Sequence, residues 1–235
     1  MANLFSSSIG KKLIMSLSGL FLILFLLIHL TINSFLVLDG VFGFETGQMF
    51  NAGAHFMGTF PLIKVIEPIL GLGFLIHIVY SLILSVQNKR ARGNIRYASG
   101  DKTEGVEWTS KNMLPLGIAL IAFLIVHLAN FWVKIKITGE IGHAEFPYLG
   151  TGMVQGEDAY TLVNTAFQNL PLVIAYVVGS LALAFHLSHG FWSAFQTIGW
   201  NNQIWLKRLK VIGNIIAWVI GLGFAFIAIA QYLFF

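Results

Sequence analysis

Cysteine is absent from this chain of 235 residues. Disulfides, thiolate ligation of an iron–sulfur cluster and covalent C-x-x-C-H haem attachment are thereby excluded for it. Charge is also scarce. Only 10% of residues are Asp, Glu, Lys or Arg, against roughly 25% in soluble domains. In their place stand 57% hydrophobic residues and a mean hydropathy of +0.79, the composition of an integral membrane protein. The net charge of +4 is no sign of nucleic acid, because the basic residues sit beside apolar segments, where membrane topology accounts for them.

Five apolar runs, at about 13–36, 62–87, 112–133, 166–196 and 210–233, each approach or exceed the roughly 20 residues that a span requires. The expectation is an all-α integral membrane protein, one domain over 1–235, built as a bundle of five transmembrane helices. Lys11 and Lys12 precede the first run as in a signal peptide, but its length and the lack of a small-residue cleavage site read as a retained helix. Eleven basic residues fall at the N-terminus and in the second-to-third and fourth-to-fifth connections, against Lys64, Lys134 and Lys136 on the other side. The positive-inside rule then puts the N-terminus in the cytoplasm and the C-terminus outside. Trp108, Trp132, Trp200 and Trp205 lie near span ends, as interfacial anchors do.

Histidine stands inside four of the five runs, at His29, His77, His127 and His186. His29 is seventeen residues beyond Lys12 and His127 sixteen beyond Lys111, which sets both roughly 25 Å from the inner surface at about 1.5 Å per residue. His77 is twelve residues before Lys89, and His186 ten before Gln196, which sets both roughly 15 to 18 Å in. Two pairs at two depths suit two bis-imidazole haems, electron-transfer centres with no open position for oxygen. Gly73, Gly179 and Gly190 lie on the ligands' helical faces, where a missing side chain leaves room for a flat ring. A lone intramembrane histidine is as often a hydrogen-bonding residue, and His189, one turn from His186, is read that way. The pairs do not converge on a simple metal site, and no H-E-x-x-H motif or carboxylate cluster accompanies them. Few Asp or Glu residues lie among the histidines to form a proton relay.

Glu67 is a carboxylate within an apolar run. It is a candidate for proton exchange with a quinol or for a salt bridge to Lys64 one turn away. His55 and His143 fall in outer connections, as solvated side chains or as quinone-edge groups.

The segments "MSLSGLFLILFLLIHLTIN", "AHFMGTFPLIKVIEPILGLGFLIHIVYSLILSVQNKRARGNIRYA", "WTSKNMLPLGIALIAFLIVHLANFWVK" and "FHLSHGFWSAFQTIGW" closely resemble the five-helix, di-haem cytochrome b anchor of succinate dehydrogenases and fumarate reductases. The H-L-x-x-N, N-x-x-A-R and F-H-x-x-x-G-x-W patterns, in that order, carry the likeness over nearly the whole chain. It implies that His29 and His127 bind a distal b haem and His77 and His186 a proximal one. It further implies partners on the cytoplasmic face: a flavoprotein with FAD that interconverts succinate and fumarate, and an iron–sulfur protein. Menaquinone would react near the distal haem, with Glu67 and His55 as candidate quinone or proton groups. The chain would then be the quinone-reactive subunit of an enzyme in a prokaryotic cytoplasmic membrane, with no succinate-oxidising site of its own. Residues 88–111 and 197–209 would be docking surfaces.

Ala184 departs from the pattern, since some fumarate reductases carry a glutamate two residues before the fourth ligand. The third-to-fourth connection is also long for the family. Alternatives are the cytochrome b anchor of another respiratory dehydrogenase, such as a hydrogenase or formate dehydrogenase, and a haem-free transporter or structural bundle. Paired broken helices, a mark of transporters, are not evident in the sequence.

Overall fold

A computed structural model describes residues 7–92, 108–200 and 202–235. Much of the charged connection, including Arg96 and Lys102, lies outside the described residues.

Among the described residues, five helices are long and apolar enough to cross a membrane, as the composition requires, and three further short ones accompany them. In chain order they are α1 (Ser8–Leu38), α2 (Gln48–Thr59), α3 (Pro61–Arg92), α4 (Trp108–Lys111), α5 (Met113–His127), α6 (Ala159–Phe167), α7 (Leu170–Ile198) and α8 (Gln203–Phe234). The membrane-length elements are α1, α3, α5 with its continuation, α7 and α8.

Capping residues explain why several of these helices begin where they do. Ser7 Oγ accepts from Gly10 N, Asn169 Oδ1 from Leu172 N and Asn202 Oδ1 from Trp205 N. Each cap satisfies an orphan amide and is worth about 1 kcal/mol. The caps at Ser7 and Asn202 start α1 and α8 several residues before the apolar runs do, so Lys207, Arg208 and Lys210 lie on the opening turns of α8. Gly199 ends α7 in the left-handed region (φ 99°), a conformation that costs glycine little.

The 134–165 connection, expected to be irregular, is structured. The third span continues past His127 through two π-helical stretches, Leu128–Trp132 and Lys134–Thr138, placing Lys134 and Lys136 on helix rather than in a loop. An antiparallel hairpin follows, β1 (His143–Pro147) with β2 (Met153–Glu157), paired His143 to Glu157 and Phe146 to Val154. Next comes α6, so the run read as 166–196 is broken at Gln168 and Asn169. The first-to-second connection likewise contains α2. Short amphipathic pieces of this kind lack the long apolar signature that marks a span.

The tightest packing joins α7 to α8, with α1 against α3, α7 and α8, and α5 against α7. Small residues let α7 and α8 approach: Ala184 is fully buried, and a Cβ added at Gly221 would lie 2.6 Å from Ala184 Cβ and 2.8 Å from Ser180 O. Close backbone approach through small residues is how membrane helices gain packing when lipid is as apolar as their side chains. One core cluster forms around Leu36, Phe50, Phe167 and Tyr176, and a second around Ile23, Leu187, Phe191 and Ile220. Large apolar side chains such as Leu75, Ile125 and Ile215 point outward on the spans, the reverse of a soluble fold.

The hairpin, α2 and α6 form a cap over one end of the bundle. Buried Asp39 accepts from Gly47 N and Met49 N, both at 2.8 Å. Asn51 donates to Asp158 Oδ1 (3.1 Å) and accepts from Tyr160 N (2.8 Å). Gln231, fully buried, donates to Leu36 O at 2.8 Å and accepts from Asn164 Nδ2 at 3.2 Å. Every one of these buried polar groups is paired, as low-dielectric surroundings demand.

Candidate functional site: two imidazole pairs

His29 lies on α1, His77 on α3, His127 at the end of α5 and His186 on α7. The ring centroids of His29 and His127 are 5.8 Å apart, and those of His77 and His186 are 6.3 Å apart. The helices bearing each pair, α1 with α5 and α3 with α7, are not among the closely packed helix pairs, so the rings meet across a gap rather than at a backbone seam. The first pair is at the hairpin end, where Phe131 and Tyr176 flank His127. The second is toward the opposite end, where His77 meets Met15 and Ser18 of α1.

The rings' hydrogen bonds engage Nδ1. His77 Nδ1 is 3.2 Å from Met15 O and 3.4 Å from Ser18 Oγ. His127 Nδ1 is 3.4 Å from the Tyr176 hydroxyl, and His29 Nδ1 is 3.4 Å from Asn33 Nδ2. Nδ1 of His186 is buried without a partner among the described residues. Where Nδ1–H donates to an oxygen, as His77 can to Met15 O and His127 to the Tyr176 hydroxyl, Nε2 is left for a ligand, the arrangement usual for metal-bound imidazole; the Asn33 amide nitrogen beside His29 is itself a donor.

This spacing fits a group held between two imidazoles. Imidazole nitrogens sit about 2.0–2.1 Å from a bound metal, so two rings that shared one would have centres roughly 6 Å apart. Both pairs have that spacing. Aromatic side chains surround them: Phe25 stacks on His29 at 5.2 Å, with Phe224 at 5.5 Å, and Phe123 stacks on His127 at 6.0 Å. Among the described residues no group of three or more His, Asp or Glu side chains converges on a common metal.

Three glycines were expected to leave room for a flat ring, and the surroundings differ among them. A Cβ at Gly73 would lie 3.2 Å from the Phe21 ring and one at Gly179 would run into Phe123, while nothing lies within 4 Å of a Cβ at Gly190. Two other glycines, not singled out from the sequence, face the paired histidine rings. A Cβ at Gly19 would lie 3.2 Å from His77 Cε1, and one at Gly117 would lie 3.9 Å from His186 Cε1. The cluster Ser16, Ser18 and Gly19 within an otherwise bulky apolar run is the signal that points to the first.

Glu67 does not pair with Lys64. Its carboxylate accepts from Trp132 Nε1 at 3.0 Å and lies 3.6 Å from Lys136 Nζ, because the π-helical continuation of the third span brings both residues alongside α3. His55 packs against Phe146 and Tyr148 of the hairpin at 5.6 and 5.0 Å, close to Gly156. An open apolar pocket of about 400 Å³ lies nearby, lined by Ile32, Phe35, Met49, Phe56 and Tyr148 among others; Glu67 and His55 are not among its lining residues. His143 faces Glu157 across the hairpin, and His189 packs on Trp192 at 4.7 Å.

At the opposite end, Trp200 and Trp205 are 5.3 Å apart, Arg208 lies over Trp205 at 5.3 Å and Lys210 over Trp192 at 4.4 Å. Trp108, Trp132, Trp200 and Trp205 are all exposed.

No protein-family model matches the chain, and no solved structure does. A curated protein of Bacillus subtilis (strain 168), the succinate dehydrogenase cytochrome b558 subunit, is 24% identical over 177 residues, spanning 75% of this chain and 72% of that protein. Over about three quarters of its length the chain is therefore similar to the cytochrome b subunit of a succinate dehydrogenase.

Proposed function

We propose that this protein is the membrane anchor and cytochrome b subunit of a succinate:quinone oxidoreductase, a single membrane domain over residues 1–235. The observation that carries the reading is the pairing of four intramembrane histidines into two sets with ring centres 5.8 and 6.3 Å apart. His29 and His127 would hold a distal b haem, and His77 and His186 a proximal one. Two such haems supply reversible one-electron transfer between an iron–sulfur partner and quinone.

The chain's own residues do the rest. Met15 O and the side chains of Ser18, Asn33 and Tyr176 orient three of the imidazoles. The apolar and aromatic walls exclude water. The basic and tryptophan-rich end, with Lys11, Lys12, Arg208 and Lys210, faces the cytoplasm by the positive-inside rule, which puts the N-terminus inside and the C-terminus outside. A flavoprotein carrying FAD and an iron–sulfur subunit dock there, on the segments 88–111 and 197–209. Menaquinone reacts at the hairpin end, with Glu67 and His55 as the proton-handling groups. The chain thus completes a respiratory enzyme in a prokaryotic cytoplasmic membrane and contributes no dicarboxylate site.

A dithionite-reduced minus oxidised spectrum, with a pyridine haemochrome assay on the purified chain, tests the reading. Two b haems per polypeptide are expected. In single variants, His77→Ala should abolish one spectral component and His29→Ala the other. Colourless intact protein, or loss of the same component in both variants, overturns it.

A further inference from the structure

Tyr176 is the polar side chain of α7 nearest the hairpin-end pair, and its surroundings are unusual for a phenol in a membrane helix. The residue is 7% exposed. Its ring is enclosed by Phe123, Phe131 and Phe167 at 5.1, 5.9 and 5.0 Å. Such a cage holds the hydroxyl at one place, 3.4 Å from His127 Nδ1. A buried tyrosine hydroxyl normally finds a hydrogen-bond partner, and here the partner is a proposed haem ligand.

A second polar group completes the arrangement. Asn130, three residues beyond His127, borders on the same hydroxyl, and its Nδ2 is buried without a hydrogen bond among the described residues. The two ends of an amide are interchangeable in placement. Turned end for end, Asn130 presents its carbonyl to Tyr176, and one chain of bonds links the three groups: His127 Nδ1–H donates to Tyr176 Oη, and Tyr176 Oη–H donates to Asn130 Oδ1.

We propose that Tyr176 is a positioning residue for the outer haem: its hydroxyl accepts from His127 Nδ1–H, fixes the tautomer that leaves Nε2 to the iron, and holds that haem's reduction potential down. The inference rests on the haem ligation proposed above. An acceptor on Nδ1–H makes the imidazole a more basic ligand, and a more basic ligand favours ferric iron. His186, on the same helix, provides the contrast, since its Nδ1 is buried with no partner among the described residues. The inner pair's bond to Met15 O comes from backbone and is beyond reach of a side-chain change, whereas Tyr176 is a single oxygen that can be removed.

The test is a potentiometric titration of the haem α-bands in the complete complex in membranes, comparing wild type with Tyr176→Phe. The variant keeps the aromatic cage and loses only the acceptor. Two haems per chain with an upward shift of one midpoint are expected. The shift should persist in a His77→Ala background, where the outer haem remains, and vanish in His29→Ala, where it is lost. Asn130→Leu should shift the same midpoint in the same direction by less, and it serves as the readout if Tyr176→Phe does not assemble. Two haems with unmoved midpoints in the assembled variants, or movement of the inner haem, overturn the inference. A wild-type complex without haem instead overturns the ligation on which it rests.

Discussion

Gly19 of α1 faces the His77 ring so closely that a Cβ there would lie 3.2 Å from Cε1. The glycine therefore sets how near α1 comes to the His77 ring on α3. A Gly19→Leu substitution should push the His77 imidazole out of line with His186 and reduce haem content from two per chain to one, leaving the His29–His127 component in the spectrum. Gly19→Ala should retain both haems, since a methyl group needs the ring to give by only a few tenths of an ångström. The pyridine haemochrome assay reads both outcomes, and full haem content in Gly19→Leu would show that His77 has slack.

Glu67 is tied to the third span by Trp132 and Lys136. Glu67→Gln keeps an oxygen for the indole N–H and loses the charge. If the carboxylate handles the quinol proton, this variant should lower quinone-linked turnover on the order of 10²-fold, with haem spectra and thermal stability unchanged. A half-exposed ion pair contributes at most about 1 kcal/mol, so Lys136→Ala should change stability little. Wild-type turnover in Glu67→Gln would reduce Glu67 to a tether between spans.

Asp158 gives the cap a pH dependence. Desolvation pushes its pKa up, but hydrogen bonds from Thr161 and Asn51 outweigh that and hold the carboxyl below its ordinary 3.8. A depressed folded pKa contributes stability that is present above the unfolded value and is lost as pH falls through the folded one. The contribution should be complete above about pH 5 and decline through the acid range below the ordinary aspartate value. Hydrogen exchange across residues 143–167 should therefore accelerate on acidification. Asp158→Asn should flatten that response; an equal response in the variant would place the titrating group elsewhere.

Ala184 marks the tightest part of the α7–α8 seam. Ala184→Glu adds bulk and a charge where backbones touch, and should destabilise the bundle by about 3 kcal/mol or more, read as earlier loss of the haem spectrum on heating in detergent. Gly221→Leu should do the same from the other helix. Ready tolerance of Ala184→Glu would mean that the helices part easily, and that a carboxylate can be housed there after all.

The spans and ring pairs were legible because both depend on local quantities, the length of an apolar run and a rise of about 1.5 Å per residue. What escaped depends on residues far apart in sequence. Asn51 meets Asp158 across 107 positions, and Gln231 meets Leu36 across 195. Glu67 illustrates the difference: the neighbour one turn away, Lys64, was the obvious partner, yet Lys136 provides the charge, because a helix read as ending near residue 133 continues in π-helical form to Thr138. The fate of Gly179 is similar, since a gap left by a missing side chain is open only if no distant aromatic fills it, and Phe123 does. The cap was missed because α2, α6 and the hairpin are short and owe their order to such tertiary bonds.

The two ring pairs are interleaved along the chain, the first joining α1 to the third span and the second joining α3 to α7. During synthesis both rings of the first pair therefore leave the ribosome before residue 186 is made, while the second pair must wait for the fourth span. Under the ligation proposed above, the hairpin-end pair would be the first whose two histidines are both available to a cofactor.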